Sequence, residues 1–193
     1  MNLMNNVFAI RKDIPKYKVL DLNILDITRG FPDDINLNSI YDFSQLNTSM
    51  ASWWVTPDTQ YVSTSKQAKA IVPDISCWVD ATLTLSPRAH RLLKDLLSEY
   101  GEFLPVSISV ELHYIFNCFS EGEPNKEACV FNDEEGMQAR LKYLEFDSGV
   151  KNLVVFKTKI ESCLTLFCTS RFKEIVESFE LNGVIFDENL VVA

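Results

Sequence analysis

The chain has 193 residues, which fits one domain or one domain with a small lobe, and a chain this size buries roughly 70% of its unfolded surface without needing a metal or disulfide. Hydrophobic residues make up 47% and charged residues 23%, and the thirteen Phe and three Trp argue for a packed core and against disorder. A net charge of −9, with no basic run beyond pairs such as Arg11-Lys12, argues against a nucleic-acid binder, because phosphate affinity comes from Lys and Arg; it either serves solubility or steers the chain toward positive partners.

The opening MNLMNNVFAIRKD lacks the early positive charge and long apolar stretch of a secretory signal. No stretch approaches the ~20 apolar residues of a membrane helix. The expectation is a soluble cytoplasmic protein. Residues 17–27 alternate as a strand, with Val19, Asp21 and Asn23 on one face and Leu20, Leu22 and Ile24 on the other. Residues 28–60 read as a long polar connection with a helical turn near Ser39 to Leu46. Trp53-Trp54-Val55 interrupts it as a short strand, which would point the two indoles to opposite faces. Both can lie in the core, or one can be exposed as an interface anchor.

A short helix is expected over Lys66 to Ile71, after Ser65 and ended by Pro73. The clearest helix follows Leu85. Ser86 is the N-cap and Pro87 the first helical residue; Ala89, Leu92, Leu93, Leu96, Leu97 and Tyr100 form one apolar face, and Gly101 stands where a left-handed C-cap belongs. Phe103 to Val110 and Leu112 to Phe119 read as neighbouring strands, the second with Leu112, Tyr114, Phe116 and Cys118 on one face. Ala128 to Phe131, Leu141 to Phe146 and Leu153 to Lys157 are further strands, after a polar loop over Ser120 to Glu127.

The last quarter, TLFCTSRFKEIVESFELNGVIFDENL, reads as strand, Thr169-Ser170 cap, helix, Asn182-Gly183 stop and strand. Phe172, Ile175, Val176 and Phe179 form the helix face. It echoes the earlier run from Leu85-Ser86 through a helix to Gly101 and a strand, and both helices start beside an arginine, Arg88 and Arg171. The whole is an α+β chain, residues 1–193 as a single domain, with a mixed, mainly antiparallel sheet and two principal helices at about 86–100 and 170–181.

Little in the chain promises catalysis. The two histidines, His90 and His113, have no ligand or base at useful spacing, and zinc needs three or four converging ligands. No G-x-S-x-G is present, and six glycines supply no phosphate loop. The five cysteines lack a C-x-x-C pair and sit beside apolar residues, as reduced core thiols do. The acidic run is the polar feature to weigh: Glu111, Glu121, Glu123, Glu127, Asp133, Glu134 and Glu135 against Lys126 alone. It can be a solvated loop, a surface for a basic partner, or a carboxylate pair for acid–base or metal work, although its spacing is not that of a calcium loop.

The Pro73-Asp74-Ile75 lead-in, the Ser86-initiated helix, the following strand pair and the C-terminal TSRFKEIVESFELNGVIFDENL together resemble immunity family eleven of the bacterial polymorphic-toxin systems. The resemblance covers roughly residues 73–190; residues 1–72 lie outside it. It implies a small cytosolic antitoxin against a secreted antibacterial toxin, with no catalytic residue. With the charge, hydropathy and spacing above, the expectation is a protein that occludes the toxin by direct contact, with no metal or cofactor and no nucleic-acid or membrane partner. The candidate toxin-binding residues are Glu121, Glu123, Asp133, Glu134, Glu135, Trp53 and Trp54. The rivals are an enzyme that reverses a toxin's modification and a non-catalytic adaptor.

Overall fold

The structure, a computed structural model, describes residues 6–14, 16–30, 36, 40–64, 70–132 and 140–191. Its first element is a strand that periodicity does not reveal. β1 (Val7–Lys12) pairs antiparallel with β12 (Phe167–Thr169) on one side and β13 (Val184–Asp187) on the other, and β11 (Val155–Phe156) completes the sheet beyond β12. Phe8 and Ile10 enter one core and Ala9 another. A strand buried on both faces carries a continuous apolar run instead of an alternation.

The alternating stretch 17–27 is mostly not a strand. Only β2 (Val19–Leu20) pairs, with β4 (Tyr61–Val62). Asn23 then turns the chain: its side-chain oxygen accepts from Leu25 N at 2.9 Å, its carbonyl accepts from Asp26 N at 2.9 Å, and a 3-10 helix runs over Ile24–Gly30. Such local side-chain bonds compete with a ladder. The expected helical turn is α1 (Phe43–Leu46), ended by Asn47 in the left-handed region. The helix expected at 66–71 falls largely outside the described residues, and Ile71 forms an isolated bridge with Tyr17.

Trp53-Trp54-Val55 is not a strand. The Glu102 carboxylate accepts from Ser49 Oγ (2.7 Å), Met50 N (2.9 Å), Ala51 N (3.3 Å) and Asn117 Nδ2 (2.9 Å), and this folds the chain into a turn. Both indoles are half-buried against a core, so neither stands free, and Trp54 Nε1 donates to the Pro105 carbonyl at 2.7 Å.

The second sheet has the order β3-β7-β8-β6-β5, with β3 (Asp58–Thr59), β5 (Ile75–Cys77), β6 (Thr82–Leu85), β7 (Gly101–Ile108) and β8 (Glu111–Cys118). Only the β3–β7 pair is parallel. Phe116 and Cys118 pack into the first core and Ile115 into the second, so this sheet is a layer between two cores. Between β6 and β7 lies α2 (Pro87–Leu97), capped as expected: Ala89 N donates to Ser86 Oγ at 3.1 Å. The helix ends at Ser98, short of Gly101, which opens β7 instead. A Cβ there would lie 2.1 Å from the Asn117 carbonyl oxygen, so glycine permits the close β7–β8 approach.

In the C-terminal unit α3 (Ser170–Ser178) joins β12 to β13. Thr169 occupies the N-cap position, but its hydroxyl donates to the Leu153 carbonyl (2.8 Å) rather than accepting from the first turn. Phe172 and Val176 are buried and Ile175 partly so. Phe179, expected on the same buried face, is the C-cap residue, just before left-handed Glu180 (φ 51), and is 38% exposed. Gly183 adopts φ +117 and lies against the Ile75 carbonyl, where a side chain has no room.

The α+β class holds, mainly antiparallel, with strands divided between two sheets and two small ladders. The sequence echo becomes a shared topology. β6 and β7 are both antiparallel to β8, which lies between them, and β5 flanks β6. β12 and β13 are both antiparallel to β1, which lies between them, and β11 flanks β12. The two helices pack in one core, with Arg88 Nη2 at the start of α2 donating to the Phe179 carbonyl at the end of α3 (2.6 Å), so the start of one lies at the end of the other.

Candidate functional site

The acidic run is not one surface. β8 separates Glu111 from Cys118 by about 23 Å at the strand rise, and Glu121 lies beyond that far end. Glu121 is also engaged: it accepts from Asn47 Nδ2 at 2.7 Å and pairs with Lys159 Nζ at 3.0 Å. Glu123 is exposed. Asp133, Glu134 and Glu135 lie outside the described residues, in the connection between β9 (Val130–Asn132) and β10 (Arg140–Tyr143).

These two strands form a ladder separate from both sheets. Val130 (50%), Phe131 (44%) and Tyr143 (51%) are exposed on it, and Leu164 (58%) is exposed nearby. Phe131 and Leu164 line a trough of about 810 Å³ whose sides are the hairpin, residues 160–165 and the tail segment Asn189–Val191. Leu141, Ile160 and Leu190 line it too and pack on the third core, which is centred on Leu144, Val150, Phe156 and Phe167. Phe131, Leu141, Ile160, Leu164 and Leu190 give this concavity an apolar lining, a usual signature of a binding surface, while Val130 and Tyr143 lie outside it.

Glu161 is the titratable group of unusual environment in this trough. Burial pushes its carboxyl up to about 7, against the hydrogen bond from Thr165 N (3.0 Å) and the attraction of Arg11. Arg140 and Lys142 on the hairpin line the same trough. Directly after Glu161, Ser162 (φ 60) and Cys163 (φ 56) are both left-handed, which non-glycine residues adopt only when the surroundings hold them. The hold is visible. Cys163 N donates to the Thr158 carbonyl (2.9 Å), and Ser44 Oγ on α1 donates to the Cys163 carbonyl (3.1 Å). The Ser44 carbonyl in turn accepts from Lys157 Nζ, on a lysine that is fully buried. Burial pulls the Lys157 ammonium down, and Cys118, Cys163, Glu121 and Asp80 oppose that.

The histidines sit in aromatic packing. His90 stacks on Tyr114 (3.6 Å between centroids, 16° between planes), and buried His113 meets the Tyr61 ring edge-on at 5.9 Å; burial lowers the pKa of both. All five cysteines are free. Burial pushes the thiols of Cys77 up to about 11 and Cys118 up to about 12, and raises Cys168 as well, so these are protonated and weakly nucleophilic at neutral pH. Among the described residues no group of three or more His, Cys, Asp or Glu could hold a metal ion, and no helix is long and apolar enough to cross a membrane.

Sequence reading placed the two hairpin strands but missed Phe131, Tyr143, Glu161 and Lys157. A signal existed for the first: Val130-Phe131 directly precedes an acidic connection. None existed for Glu161, or for Lys157, which reads only as the polar end of the strand Leu153 to Lys157. Compared with protein-family models and with curated proteins, the chain matches none.

Proposed function

We propose that this chain is an immunity-type protein that neutralises a secreted antibacterial toxin by direct occlusion, acting in the cytoplasm, with the β9–β10 hairpin and its trough as the contact surface. The observation that carries this reading is exposed Phe131 and Leu164 lining the trough with Leu141, Ile160 and Leu190, on a hairpin that also exposes Val130 and Tyr143. The resemblance over residues 73–190 supplies the partner class. The acidic connection Asp133-Glu134-Glu135 and the net charge of −9 suit a toxin with a basic cleft, such as a nuclease, and opposite charge speeds encounter. Central apolar anchors then supply most of the residence time.

The test is co-expression and co-purification with the product of the adjacent gene, which this reading expects to be a toxin. Phe131→Ser with Tyr143→Ser should raise the dissociation rate at least ~10-fold, as loss of anchor side chains does. Reversal of Asp133, Glu134 and Glu135 to Lys should mainly slow association in low salt. If both variants bind and protect cells as the unaltered chain does, the hairpin is not the interface.

A second reading, an enzyme that reverses a toxin's modification, is favoured by one observation: a carboxyl poised near 7 in a cavity, as a general acid or base would be. Glu161→Gln separates the two readings. With toxin affinity measured beside protection, occlusion predicts that protection follows affinity, whereas acid–base chemistry predicts that protection falls by roughly 10²-fold or more while affinity is kept.

A further inference from the structure

A different surface, sharing no residue with the trough, lies between the two helices. Leu92, Leu96 and Tyr100 of the α2 side and Ile175 and Phe179 of the α3 side are only partly covered, and they line an open groove of about 430 Å³. Its charged residues are divided by helix. Asp95 and Glu99 stand on the α2 side and Arg171 on the α3 side, all exposed, and none of the three side chains has an ion pair among the described residues.

We propose that this helix pair is the interface of a homodimer, with a second copy of the chain as the occupant of the groove. The argument is self-complementarity. Because the start of α2 lies at the end of α3, Arg171 at the start of α3 falls toward the Asp95–Tyr100 end of the groove, and Phe179 toward its Leu92 end. A two-fold axis along the groove places α2 of one copy over α3 of the other without changing height. Arg171 then meets Asp95 and Glu99 of the second copy, and Phe179 meets Leu92, each contact made twice as an isologous interface requires. A two-fold axis across the groove would lay each helix on its own copy and leave all three charges unmatched. Helices of 11 and 9 residues are about 16 and 14 Å long, so this face is at the small end of stable interfaces and the dimer depends on concentration.

Sedimentation equilibrium of the full chain tests the assignment. The unaltered chain should pass from monomer to dimer across the micromolar range. Arg171→Glu alone, and Asp95→Arg with Glu99→Arg alone, should each weaken self-association at least tenfold while circular dichroism stays unchanged. Mixed one to one, the two variants should form a heterodimer, since one groove is then wholly acidic and the other wholly basic. A chain that stays monomeric throughout overturns the proposal, as does failure of the mixed variants to associate. Protection of the groove only when a toxin domain is added would assign it to that partner and would equally overturn the dimer.

Discussion

The two strand–helix–strand units share one strand order, yet they are built differently. In the first, β5, β6, α2, β7 and β8 follow one another along the chain, and the strand inserted between β6 and β7 comes straight after them. In the second, the inserted strand is β1, delivered from the opposite end of the sequence. The connections differ too. β5 and β6 are joined by a tight turn at 78–81, whereas β11 and β12 are joined through residues 157–166, which carry buried Lys157, Glu161 and the left-handed pair Ser162-Cys163. Ser86 caps its helix with a side-chain bond and Thr169 does not. The contiguous unit is thus stabilised by local signals. The permuted unit depends on long-range contacts, and it carries the unusual chemistry.

The largest expected effect sharpens where the second unit is packed. Phe172→Ala should cost about 3–5 kcal/mol, because its ring is fully buried in the core shared by both helices. Phe179→Ala, at the exposed end of the same helix, should cost under ~1 kcal/mol. Urea unfolding of the two variants checks this, and near-equal losses would mean that the last turn is packed after all.

The glycines that open β7 and precede β13 compare the units at matched positions. A Cβ at Gly183 would lie 2.1 Å from the Ile75 carbonyl oxygen and 2.4 Å from Pro73 Cβ, at φ +117. A Cβ at Gly101 would meet the Asn117 carbonyl oxygen at 2.1 Å without the positive φ. Gly183→Ala should therefore destabilise by about 3 kcal/mol and Gly101→Ala by somewhat less, both read from the urea midpoint. A neutral Gly183→Ala would break the picture of the second unit's edge pressed against β5.

The pH-dependent effect concerns the long connection. Glu161 has its carboxyl raised by burial from 4.5 to about 7, so the folded chain holds this proton more tightly than the unfolded one. Its contribution is most favourable at acid pH and falls as pH rises from 4.5 through about 7, by up to about 3 kcal/mol before solvent relaxation is discounted. Arg11, which attracts the charged form, reduces that loss. Glu161→Gln should flatten this part of the stability profile, measured by thermal unfolding across that pH window. An unchanged slope would place Glu161 in solvent.

Legibility follows locality. The Ser86-Pro87 start and the apolar spacing of α2 could be read because capping and helical periodicity act within a few residues. The exposed hairpin strands were visible, but their exposure was not, since Val130-Phe131 and Tyr143 have the composition of buried strand. Val7–Lys12 was unreadable because a two-faced burial erases alternation. The alternation at 17–27 misled because Asn23 makes a turn that outweighs it.

The amino-acid sequence by itself determined the α+β class, the two principal helices, the free thiols' apolar settings and the echo between the two units. These rest on local pattern and composition. Only the tertiary structure decided that β1 completes the second unit, that Glu121 is paired while Phe131 and Tyr143 stand exposed, and that Glu161 and Lys157 are drawn out of water. Each of those depends on which distant segment packs alongside, and burial, with the shifted protonation that follows from it, is a property of that packing rather than of the residue.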